Sequence, residues 1–132
     1  MRNGFTLVEL LVVIAIIGLL TGMVVISIQN VKAKARDGQR VADINSIATA
    51  LSLYHNDFNA YPIFDGYTTG SDALSTALKD AGTISTAPTD PLNTGNYQYY
   101  YQSLDGTDYY LEYYLETNSV SGKSQGRNYL VP

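Results

Sequence analysis

The chain has no cysteine, no tryptophan and a single histidine in 132 residues. Without cysteine there is neither a disulfide framework nor a thiolate metal site. With His55 as the only imidazole, neither a His-based metal cluster nor a Ser-His-Asp triad with a second candidate base can be assembled. Positive charge is also scarce. Eight Lys and Arg stand against twelve Asp and Glu, giving a net charge of −4, which argues against wholesale binding to nucleic acid or to anionic lipid. Proline is missing from Gln29 to Asn56, and charge is missing from Leu10 to Ile28.

The uncharged run, LLVVIAIIGLLTGMVVISI, spans roughly 28 Å as a helix, long enough to cross a bilayer. A secretory signal has a shorter apolar core followed by a small-residue cleavage site, and QNVKAKARDGQR beyond Ile28 offers none, so the helix should stay in the mature protein. Just before the run stands Glu9, a carboxylate at the mouth of an apolar segment. Helical composition continues from Gln29 to Asn56, where Val41, Ile44, Ala48, Leu51 and His55 recur at helical spacing, with Ile47 and Tyr54 widening the stripe. The first half of this rod is apolar all round and the second is amphipathic. One helix from Phe5 to about Asn56 would be ~78 Å long, so part of it must pack on something outside lipid.

NDFNAYP ends the rod and a loop follows. Ser71 is a candidate cap for a short helix through Ala81, with Leu74, Ala77, Leu78 and Ala81 as its apolar side and Gly82 as its stop. After the turn at PTDP (88–91), the Tyr-rich runs 97–103 and 109–117 read as a hairpin across LDGTD, with Gly106 available for a positive φ. RNYLV is a candidate third strand. Alternation puts Tyr109, Leu111, Tyr113 and Leu115 against the rod, and Tyr110, Glu112, Tyr114 and Glu116 toward solvent or a neighbour. The expectation is an α+β fold: one long N-terminal helix on a small antiparallel sheet of about three strands. Twelve tyrosines invite a base-stacking reading, but that needs a basic groove where these strands carry Glu112 and Glu116; strand propensity and amphipathic packing account for most of the rings.

A short leader ending in Gly4, then Phe5, Thr6, Leu7, Val8 and Glu9, then an apolar helix, resembles the processing signal of type IV pilins and the related pseudopilins. KARDGQRVADINSIATALSLYHNDFNAYP is similar to the second half of the pilin helix and its exit, and PTDP followed by Tyr-rich strands to the start of the pilin sheet. The resemblance implies cleavage after Gly4 by a prepilin peptidase on the cytoplasmic side and methylation of the new amine on Phe5. It also implies assembly of identical subunits into a helical filament by inner-membrane machinery. The divisions it suggests are a leader (1–4), a transmembrane and filament-core half of the helix (5–28) and a head (29–132). A lone Glu9 in lipid costs up to ~3 kcal/mol at mid-bilayer and less near the helix end. In pilins the equivalent Glu is thought to meet the terminal amine of an adjacent subunit and so set register. The alternative is that Glu9 neutralises its own terminus, four residues away.

Gly18 and Gly22 form a GxxxG that permits close helix packing or local melting, or are merely two small residues of a lipid-facing helix. Gly18 matches the pilin glycine, while Ile26 stands where many pilins carry proline. Lys32, Lys34, Arg36 and Arg40 would by the positive-inside rule put the C-terminus in the cytoplasm; the processing motif, which demands the reverse, takes precedence. Asp37 and Asp43 partly offset this cluster, and its expected role is a solvated rod face or contacts with a neighbour's acidic head. Major pseudopilins bind calcium in a loop of the head. Asp105 and Asp108 of LDGTD are candidate ligands, but their spacing matches no EF-hand loop and the later acidic pair of the family pattern is missing from SGKSQGRNYL, so a plain turn is favoured. No cofactor is implied.

The reading is a structural subunit, not an enzyme. It is held in the inner membrane by one span before assembly and lies in an extracellular or cell-surface filament afterwards. One alternative is the major pseudopilin of a type II secretion system, whose filament stays periplasmic. Another is a monomeric membrane-tethered binding module such as a DNA-uptake receptor.

Overall fold

The computed structural model describes residues 4–132, without the side chains of residues 24–26. Leader residues 1–3 and the Ile26 side chain therefore lie outside the described residues. Helix α1 (Leu7–Phe58) is followed by β1 (Phe64–Tyr67), α2 (Ala73–Asp80), β2 (Tyr100–Ser103), β3 (Tyr110–Leu115) and β4 (Gly126–Leu130). The chain forms two units, residues 1–33 and 34–132.

In the first unit every described side chain from Leu7 to Ile28 is exposed. Helix α1 includes a segment long and apolar enough to cross a membrane. A Cβ added at Gly18 or Gly22 would meet nothing within 4 Å, so both leave a notch on an open helix surface. Thr21 Oγ1 satisfies itself by donating to the Ile17 carbonyl at 2.7 Å.

The second unit holds the rest of α1, the sheet and α2. Its sheet is antiparallel throughout, in the order β1-β2-β3-β4. Ile44, Ile47, Ala50 and Leu51 of α1 pack with Tyr99, Tyr101, Tyr109, Leu111, Tyr113 and Leu115, and with Leu74 and Leu78 of α2. The buried stripe is thus centred on Ile47 and Leu51; Ala48 and His55 are only half-buried, and the His55 ring lies against Tyr61 with centroids 4.6 Å apart. The alternation read in β3 matches its burial, with Leu111, Tyr113 and Leu115 inward.

The sheet has four strands, not about three. β1 pairs with β2 from Phe64↔Ser103 to Tyr67↔Tyr100, in a segment read from sequence as loop. FDGY carries no apolar alternation and contains a glycine, which is why no strand pattern is visible in it. Gly66 has a packing reason: a Cβ there would stand 2.9 Å from the Phe64 ring, which folds back over it.

Helix α1 runs two residues past the expected end because Asn59 adopts φ +53 and donates its N–H to the His55 carbonyl at 2.8 Å, a left-handed cap. Helix α2 is capped by Asp72, not by Ser71. The Asp72 Oδ1 accepts the Ser75 N–H at 2.9 Å, while Oδ2 accepts the Thr69 N–H at 2.7 Å, so one carboxylate ties the loop to the helix start. Gly106 turns the β2–β3 hairpin at φ +81, and its carbonyl accepts the Tyr61 N–H at 2.8 Å. β3 stops at Leu115, one residue short of Glu116, whose side chain leaves the outward face for the helix, contrary to the alternation.

Candidate functional site

The N-terminal segment begins with Gly4, Phe5 and Thr6 before the first helical residue, Leu7. Phe5 is exposed. Thr6 and Glu9 close a reciprocal capping box: Glu9 Oε2 accepts the Thr6 N–H at 2.9 Å and the Thr6 hydroxyl at 2.8 Å, and the Glu9 N–H donates to Thr6 Oγ1 at 3.3 Å. The carboxylate therefore sits at the positive end of the helix dipole, satisfied through one oxygen. Its second oxygen, Oε1, has no hydrogen-bond partner among the described residues. Thr6 was not singled out in the sequence, although T-x-x-E ahead of an apolar run is a legible capping signal.

Past the apolar run, the basic cluster divides. Lys32 and Lys34 stay exposed, but Arg40 is fully buried and Arg36 half-buried, and both are held within the same subunit. Neither a solvated rod face nor a neighbour's acidic head describes these two arginines. Arg40 makes a two-pronged bond to Asp90, from Nε at 2.6 Å and Nη2 at 3.1 Å, and its Nη1 reaches Asp37 at 2.9 Å and Glu116 at 2.6 Å. Arg36 donates to both oxygens of Glu116, from Nε to Oε1 at 2.7 Å and from Nη2 to Oε2 at 2.5 Å, so that Oε1 is shared with Arg40. Asp37 in turn accepts the Glu116 and Thr117 N–H groups, each at 2.8 Å. Asp43, also expected to offset the cluster, accepts instead from the Tyr99 hydroxyl at 2.8 Å. The fan of bonds locks the PTDP loop and the end of β3 to α1.

Burial works against the Arg40 charge, but the carboxylates around it outweigh that and raise its pKa. Hydrogen bonding to Arg36, then to Arg40, pulls the Glu116 carboxyl down to about 2, with burial acting the other way. Since the folded value lies below the unfolded one, Glu116 binds fewer protons when folded. Its contribution is complete above about pH 4.5 and is lost as pH falls toward 2. In acid titrations followed by circular dichroism, Glu116→Gln should be less stable at neutral pH and lose less stability across this window than the parent chain; parallel acid profiles would contradict it.

A family described as "Prokaryotic N-terminal methylation motif" matches residues 1–25. Three relatives named type II secretion system core protein G share the longer stretch. That of Aeromonas hydrophila is 36% identical over 99 residues, 68% of this chain and 67% of the relative. That of Vibrio cholerae serotype O1 is 34% identical over 114 residues, 80% and 75% of the two chains. That of Dickeya chrysanthemi is 31% identical over 124 residues, 92% and 72%. The chain belongs to the type II secretion system core protein G family. No solved structure matches it.

As a core protein G family member the chain has a pilin-like, polymer-forming architecture, and the N-terminal signal with its apolar helix fits anchoring in the inner membrane before assembly. The calcium implied by the pseudopilin resemblance finds a poor set of donors. Asp105 and Asp108 flank a cleft of about 290 Å³ lined also by Gln102, Leu104 and Tyr110. Asp105 Oδ1 already accepts the Thr107 N–H at 3.0 Å and hydroxyl at 2.7 Å. Among the described residues no group of three His, Asp or Glu is arranged to hold a metal ion, whereas calcium takes six to eight oxygens.

Proposed function

We propose that this chain is the repeating structural subunit of a pseudopilus-like filament serving a type II secretion system, and that it performs no catalysis. Cleavage between Gly4 and Phe5 by a prepilin peptidase releases the amine of Phe5, which is then methylated. Residues 5–28 leave the inner membrane to become the filament core, and residues 29–132 form the exposed head. Glu9 pairs with the Phe5 amine of a neighbouring copy and sets axial register; Gly18 and Gly22 give neighbouring helices room to approach.

The observation that carries this reading is the exposure of every described side chain from Leu7 to Ile28 behind a capped Glu9. An apolar surface of this extent requires lipid or other copies as its surroundings. Oε1, which has no hydrogen-bond partner among the described residues, supports the register contact, since capping through Oε2 leaves one carboxylate oxygen for an external cation. The family names favour secretion over a surface pilus. Fractionation tests this: filaments of the chain should be retained with the periplasm, and mechanically sheared surface material should lack them. Recovery only as an uncleaved monomer with measurable ligand affinity at low salt would support a tethered binding module instead.

A further inference from the structure

We propose that the last loop of the head is closed by the Lys123 ammonium and by hydrogen bonds within the protein, so that the head of this chain folds without calcium. From Thr117 to Pro132 there is no Asp or Glu, while Lys123 and Arg127 bring positive charge. The carboxylates bound at the start of the loop between β3 and β4 are Asp37 and Glu116, and both are fully engaged. Asp37 Oδ1 accepts from Arg40 and from the Glu116 N–H, and Oδ2 accepts from the N–H and hydroxyl of Thr117. Both Glu116 oxygens are held by Arg36, and one of them also by Arg40. A divalent cation entering here would have to displace guanidinium groups from a buried network.

Several of the loop's own polar groups pair with each other. The Thr117 hydroxyl bonds Ser119 at 2.7 Å, Asn118 Oδ1 accepts the Gln125 N–H at 2.7 Å, and the Lys123 N–H reaches the Val120 carbonyl at 3.2 Å, with Gly122 turning at φ +73. Asn128 Nδ2 then donates to the Ser124 carbonyl at 2.7 Å. Val120, the first residue of this turn, is partly buried and packs against the core. The positive charge in the loop is supplied by Lys123, whose Nζ lies 5.4 Å from the centroid of the buried Tyr113 ring. An ammonium on a flexible stem holds the turn down without needing acidic ligands.

A bound ion stabilises the folded state by mass action, so calcium dependence is readable as a shift in unfolding temperature. The full chain in detergent micelles should show the same Tm, within about 1 °C, in millimolar calcium and in excess EGTA. Lys123→Met keeps the aliphatic stem and removes the charge. It should lower Tm by about 2–8 °C, equally with and without calcium. A rise of several degrees with calcium in the parent chain would overturn the proposal, and the Asp105→Asn, Asp108→Asn double variant would then report whether the hairpin holds the ion. An unchanged Tm in Lys123→Met would overturn the assignment to Lys123. Both measurements read the single subunit and are independent of whether it polymerises.

Discussion

Cells carrying Glu9→Leu insert the chain into the membrane as before and make no filaments. Leucine removes a charge that costs up to about 3 kcal/mol in the apolar phase, so insertion improves if it changes at all. What is lost is the only acidic group of the N-terminal apolar segment. Two functions could account for that loss, because Glu9 caps its own helix through Thr6 by Oε2, while Oε1 has no hydrogen-bond partner among the described residues. Glu9→Gln separates them. The amide oxygen can still accept from Thr6, which preserves a cap worth about 0.5–2 kcal/mol, but it presents no charge to a neighbour's amine. Loss of filaments in both variants, counted by electron microscopy, identifies the charge as the requirement. Normal filaments in Glu9→Gln would leave Glu9 as a helix cap alone.

Arg40→Met unfolds the head under conditions in which the parent chain is stable. Removing this guanidinium strands Asp37, Asp90 and Glu116 around a buried cavity, and breaking one partner out of a buried ionic cluster costs about 3–5 kcal/mol. For a head of this size that is a fall in Tm on the order of 15 °C or more. Arg36→Met, by contrast, removes a partly exposed partner of Glu116 while Arg40 remains, and should cost about 1 kcal/mol or less. Thermal unfolding followed by near-ultraviolet circular dichroism compares the two. Equal, small losses would show that the cluster is no tighter than a surface ion pair. Because cellular proteases remove unfolded chains, Arg40→Met should also lower subunit abundance in cells.

What the sequence made legible are the features written in short-range pattern. The α+β architecture follows from a long helical stripe and alternating tyrosines, and Gly106 marks the hairpin because only a few residue types accept its φ. The N-terminal signal is equally local. Less legible is whatever depends on partners far apart in the chain. Arg40 meets Asp90 fifty positions away and Glu116 seventy-six away, a pairing that no periodicity encodes, so the sequence alone offers Arg40 only a solvated rod face or a neighbour's acidic head. β1 escaped for a related reason: its strand character comes from pairing with β2 across 64–67 and 100–103, while FDGY itself has a glycine and an exposed Asp65. Asp72 took the cap from Ser71 because a carboxylate can accept from the loop and from the helix at once. Thr6 shows the remaining kind of difficulty. Its pattern with Glu9 is a visible capping box, but a charge in an apolar setting points equally to a terminal amine, its own or a neighbour's, and the sequence alone does not rank the residue three positions back above them.

The central claim, that this chain becomes a filament subunit once its leader is removed, is tested most directly by the intact mass and N-terminal sequence of the chain taken from isolated fibres. The account predicts a mass lacking residues 1–4, carrying one added methyl group, and a sequence beginning at Phe5. A chain that retains Met1–Gly4, or fibres that do not contain it, would contradict the account.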